Sequence, residues 1–248
     1  MNVARIVVVA LWLFVGHAAL GGLYWGFLNV PESNVLMLLL SALLALLLVA
    51  GAGVIDTTGL LLLRSDWTWR DALRRGLRVL PAFLAALALW LIVRWVCVRL
   101  LRYHDAHSGE LDAWFIATFN WTRITWLHRT IDWLLHIIQF VIGTSLAVTL
   151  LATAAAGPIA GVISPRWLKR AFSPLQLLIV AVAFYGLIYL PWQAVYWRPS
   201  SLPATSAEVA FALTKLTLIG LVMQIGWTLI LWSAQRMPAA GSARQSSA

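Results

Sequence analysis

A histidine, an aspartate and a second histidine stand four residues apart in HRTIDWLLH, His128 to His136. On a helix the three share one face, and these side chain types can ligate a metal or pass protons. They also cover roughly 12 Å of helix axis. A metal with ligand bonds of about 2.1 Å cannot hold all three. At most two ligate together, and a second segment must supply the rest. HDAHSGE offers one, with His104, Asp105, His107 and Glu110 closely spaced. The metal candidates are therefore His104, His107, His128 and Asp132, without a recognised signature such as H-E-x-x-H. The competing expectation puts this stretch at the boundary of a membrane span. His128 and Arg129 then lie at the headgroups, Asp132 sits in the first helical turn on unpaired backbone donors, and His136 hydrogen-bonds back to Asp132. In that case Asp132 and His136 form a polar or proton relay, no metal is favoured, and no cofactor is expected.

The elements that position these residues follow from composition. The chain has 248 residues, 62% of them apolar and 11% charged, with a mean hydropathy of +0.86. A soluble domain carries roughly a quarter of its residues charged, so the bilayer must be the solvent here. A hydrocarbon core about 30 Å thick needs roughly 20 apolar residues of helix. Six stretches qualify: Ile6 to Leu28, Val35 to Leu63, Val79 to Leu101, Ile131 to Ala156, Leu175 to Trp197 and Val209 to Trp232. The expected fold is all-α, a polytopic membrane protein with one six-helix domain over 1–236 and a disordered tail over 237–248. Asn34, Ser173 before Pro174, and Thr205 with Glu208 mark helix starts.

Two further segments carry structure of their own. SDWTWRDALRRGLRVLP predicts a basic interfacial helix near 67–78, capped by Thr68 and Asp71, with Asp71 paired to Arg75 and Pro81 kinking the junction. The segment near 103–129 holds Trp114, Phe115, Phe119, Trp121 and Trp126 and predicts a re-entrant or surface-lying helix.

Orientation follows from the basic residues. Arg5, Arg64, Arg70, Arg74, Arg75, Arg78, Arg166, Lys169, Arg170, Arg236 and Arg244 fall on one side, against Arg102, Arg123, Arg129 and Arg198 on the other, which predicts both termini in the cytoplasm and a location in the inner (cytoplasmic) membrane. A cleaved signal peptide is the rival for the first span, because Arg5 precedes an apolar stretch containing HAALGG. The formal charge of +9 is scattered between spans rather than gathered on one solvated face, so nucleic acid is not an expected partner. Membrane lipids, including anionic ones, are. The lone Cys97 permits no internal disulfide.

Charges inside a bilayer cost roughly 2.5 to 3.5 kcal/mol each at a helix centre. His17, Asp56, Arg94 and Lys215 fall within the spans. Arg94 and Lys215, with Trp90 and Trp133, predict a polar cavity in the outer leaflet that takes an anionic headgroup. Snorkelling of both cations to the interface is the competing expectation. His17 and Asp56 join Asp132 and His136 as relay candidates, against capping or packing roles for each. The chain contains no P-loop, nucleophile elbow, dinucleotide fingerprint or cysteine pair.

The spacing W-x-x-A-x-x-R-x-x-R-x-L-P, Trp69 to Pro81, resembles the cytoplasmic connection of the glycerophosphodiester phosphodiesterase membrane-domain type of bacterial protein. The resemblance covers about 30 residues. It implies a six-helix membrane domain and carries over no catalytic residue. The leading functional expectation is a lipid- or amphiphile-binding, transport-related membrane component. The alternatives are a metal-dependent membrane enzyme acting at the outer face, and an accessory subunit whose basic helix docks a membrane-protein partner.

Overall fold

The computed structural model describes residues 3–31, 33–64, 67–121, 124–157, 164–197 and 206–236. The helices are α1 (Val3–Leu28), α2 (Val35–Leu62), α3 (Trp69–Arg78), α4 (Leu80–Phe119), α5 (Thr125–Ala156), α6 (Arg166–Ala171), α7 (Pro174–Ala194) and α8 (Ser206–Gln235). Six of them are long and apolar enough to cross a membrane, and no strand occurs among the described residues. The protein is thus a multi-pass, all-α membrane protein. Lipid offers no partner for a backbone amide or carbonyl, so spans must satisfy those groups internally, as helices do.

Helix starts carry local chemistry. Asn34 accepts from the Met37 amide, Thr68 from Asp71, and Ser173 from Gln176. Thr205 and the tail lie outside the described residues. Between α3 and α4 the chain turns at Val79, and Pro81 then occupies the first turn of α4, where its missing amide costs nothing. Arg75 does not pair with Asp71. Its guanidinium donates instead to the carbonyls of Gly157 at 3.0 Å and Ala154 at 3.5 Å, closing the C-terminal end of α5.

Small residues let the helices approach. Gly16 of α1 lies against Ile55 of α2, and Gly59 of α2 against Leu13 of α1. Gly76 admits α3 onto α2, since a Cβ there would sit 2.9 Å from Thr58 Oγ1. Helix α8 packs on α1, α5 and α7, and α4 packs on α5. Burial is concentrated at the arginine-bearing end, where Val9, Leu13, Leu60, Leu61, Ile230 and Leu231 are closed off. At the opposite end Trp25, Leu36, Leu39, Val209 and Leu213 are each more than half exposed, a surface that lipid must cover.

The region near 103–129 departs from expectation. Helix α4 runs unbroken for 40 residues, about 60 Å, and ends only where Asn120 turns left-handed at φ 55°. No proline lies between Leu101 and Phe119, and a headgroup layer does not interrupt backbone hydrogen bonding, so the helix continues past the apolar span. The chain then turns, with Ile124 buried, and α5 starts at Thr125. The result is an antiparallel helical hairpin in which one continuous helix runs from the span to Phe119.

Both α5 and α7 contain a π-helical segment, Ile138–Ile142 and Ala183–Tyr189. Such wide turns recur at functional sites.

Gly109 is exposed on the hairpin with nothing near its missing Cβ, whereas Cys97 is buried. A membrane-impermeant maleimide should therefore label Gly109→Cys in intact cells and leave the parent protein unlabelled. Labelling only after the membrane is disrupted would reverse the expected orientation.

Candidate functional site

Asp56 is 7% exposed and lies about two turns inside the arginine-bearing end of α2. A carboxylate there needs partners. Trp227 of α8 donates its indole N–H to Asp56 Oδ1 at 2.9 Å, and His17 Nε2 of α1 stands 3.5 Å from the same oxygen. Three helices are tied at this atom. Among the described residues, the imidazole and the indole are thus the two polar groups that face the carboxylate. Near it, Trp12 donates to the Ile55 carbonyl at 3.1 Å, and His17 Nδ1 is buried without a partner.

Asp56 and Trp227 close one end of a cavity of about 310 Å³ inside the bundle. Helix α4 supplies Phe83, Ala86, Leu87 and Trp90 to its wall. Helix α5 supplies Phe140, Thr144 and Ala147, and α7 supplies Phe184 and Ile188. Phe140, Phe184 and Ile188 belong to the two π-helical segments, so both irregular turns face this space. The lining is apolar apart from Asp56 and Thr144 and has the size of a small-molecule site.

Arg94 and Lys215 do not share this cavity. Arg94 is exposed, with its guanidinium 5.6 Å from the centre of the Trp90 ring one turn earlier, and Arg99 leans on Trp95 in the same way. Lys215 donates to the carbonyls of Val195 at 2.7 Å and Trp197 at 2.8 Å, binding α8 to the end of α7. Lys215 is thus satisfied by neighbouring carbonyls, and Arg94 points away from the cavity lining. Trp90 does line the cavity, and Trp133 lies elsewhere.

The metal candidates separate. His104 and His128 meet across the hairpin, Nε2 to Nδ1, at 2.9 Å, and the second nitrogen of His128 donates to Asp112 at 2.8 Å. An ionised Asp112 only accepts, so the chain runs from His104 through His128 to Asp112. His128 spends one nitrogen on each neighbour. Among the described residues, no three His, Cys, Asp or Glu side chains converge as a metal site. His107 turns away, bonded to the Tyr103 carbonyl at 2.9 Å, and Asp132 lies outside the cluster. Asp112 was not singled out from sequence, although it stands two helical turns from His104 on the same face.

Asp132 and His136 also differ from expectation. Helix α5 begins at Thr125, so Asp132 is two turns in and lies beyond the unpaired amides of the helix start. His136 makes no hydrogen bond to it, and its Nε2 is buried without a partner. The imidazole is surrounded by rings instead. Phe140 lies 4.5 Å away, Tyr189 5.6 Å, Tyr185 5.9 Å and Trp133 6.2 Å, centre to centre.

Compared with protein-family models, curated proteins and solved structures, the chain matches none.

The tie at Asp56 generates a stability prediction. His17→Leu leaves a buried carboxylate short of a partner and should destabilise the protein by about 1 to 3 kcal/mol. Adding Asp56→Leu should recover part of that loss, because the stranded charge is gone. Unfolding measured in detergent should thus show the double variant more stable than His17→Leu alone. Simple additivity of the two losses would mean the residues are not coupled.

Proposed function

We propose that this chain is a protein of the cytoplasmic membrane that binds an amphiphile, with the apolar chain lodged between α4, α5 and α7. The observation that carries the reading is the cavity of about 310 Å³, whose wall is apolar except at Asp56 and Thr144. A hydrocarbon chain seated there gains dispersion contact with Leu87, Phe140, Ala147 and Ile188.

The polar group in the wall decides the sign of the ligand. Asp56 is acidic and already held by His17 and Trp227, while Arg94 and Lys215 are engaged outside the cavity. The described residues that line the cavity include one carboxylate and no cation, which favours a neutral or cationic ligand. The anionic ligand expected from the two basic residues is replaced accordingly.

Photolabelling tests this reading. A diazirine-bearing dodecanol in lipid nanodiscs should label peptides containing Ala86–Trp90 and Thr144–Leu151. Ala147→Trp fills the cavity and should reduce that labelling several-fold, with folding checked by unchanged elution. Labelling confined to lipid-facing positions such as Leu36 and Leu39, and unaffected by Ala147→Trp, would overturn the proposal.

A further inference from the structure

One helical turn beyond the cavity, a second and more polar recess opens between α5 and α7. It encloses about 170 Å³ and is lined by Asp132, Trp133, His136 and Tyr189. Tyr185 completes its aromatic wall, 6.1 Å from Trp133 and 6.0 Å from Tyr189 between ring centres. Three observations mark it as more than an aromatic belt. Asp132 is exposed and forms no hydrogen bond or ion pair among the described residues, not even with Arg129 one turn away. His136 Nε2 and the Tyr185 hydroxyl are both buried without partners. Phe140 and Phe184, which line the deep cavity, also pack on His136 at 4.5 and 6.5 Å, so the two spaces share a wall.

We infer that this recess is the headgroup subsite for an organic cation, an alkylammonium whose chain enters the cavity below. The inference rests on the amphiphile reading given above. Ring faces attract a cation placed within about 6 Å of their centres, and the pull strengthens where water is thin. Trp133 and Tyr189 supply such faces, and Asp132 supplies the one carboxylate of the recess. A quaternary ammonium has no N–H to satisfy, which suits a wall of rings. A primary ammonium could in addition donate to Asp132 or to the acceptor nitrogen of a neutral His136. An anion meets an unpaired carboxylate here and is rejected.

The class of headgroup is testable with matched probes in nanodiscs. Diazirine-bearing dodecyltrimethylammonium should label the cavity at a concentration about tenfold below that needed by the dodecanol probe of the same chain, a difference of about 1.4 kcal/mol. Asp132→Asn and, separately, Tyr189→Leu should abolish that advantage while leaving dodecanol labelling unchanged. Soluble tetramethylammonium that competes would identify the free cation as sufficient, and competition only by chain-bearing cations would identify the lipid-like form. Equal labelling by both probes, unaltered by Asp132→Asn and Tyr189→Leu, would refute the cation subsite and leave the cavity reading intact. Failure of both probes to label the cavity would remove both.

Discussion

A carboxylate inside a bilayer constrains everything around it, and Asp56 is that carboxylate. Lipid supplies neither water nor counter-ion, so its partners must arrive on other helices. They come from α1 as His17 and from α8 as Trp227, the first and last spans of the bundle. The tie therefore closes the ring of helices and places α8 against α1 and α2. It also explains why burial is greatest toward the arginine-bearing end, where the basic connections α3 and α6 brace the same helices. Arg75 holds the end of α5, and Ser145 of α5 donates to the Ala171 carbonyl of α6 at 2.7 Å.

With that end fixed, the middle of the bundle is left underfilled. The π-helical turns in α5 and α7 widen each helix and rotate Phe140 and Phe184 toward the space between them. Uniform α-helices would bring different residues to that face, since one inserted residue shifts the register by about 100°. The cavity is thus a product of local backbone irregularity in two helices that face each other. Beyond it α4 and α5 continue as a hairpin. It is held by Ile124 at the turn and by the His104, His128 and Asp112 chain along its length.

The spans were legible because lipid leaves the backbone no alternative to the helix, and hydropathy records that demand directly. Local caps at Asn34, Thr68 and Ser173 were legible for the same reason, as each acts within four residues of itself. The end of α4 was not, because hydropathy reports where lipid stops and not where a helix does. Asp56 and His17 stood out singly as costly groups. Their meeting depends on how α1 and α2 pack, and Trp227 carried no signal among fifteen tryptophans. Arg94 and Lys215 misled for a related reason. A cation within a span invites a ligand on paper, but Arg94 lies exposed against a ring one turn away and two carbonyls at a helix end hold Lys215.

Taken together, the bundle offers an apolar space whose wall includes Asp56, held by His17 and Trp227, and a carboxylate-bearing aromatic recess that shares Phe140 and Phe184 as neighbours. Each feature alone has an ordinary structural use, and the adjacency of the apolar space and the recess, through Phe140, Phe184 and His136, is what suits an amphiphile. Native mass spectrometry of protein released from its own membrane tests this most directly. The account predicts one amphiphile retained per protein at collision energies that strip surface lipid, and lost when Ala147→Trp fills the cavity. Bare protein, or a broad lipid distribution indifferent to that substitution, would contradict it.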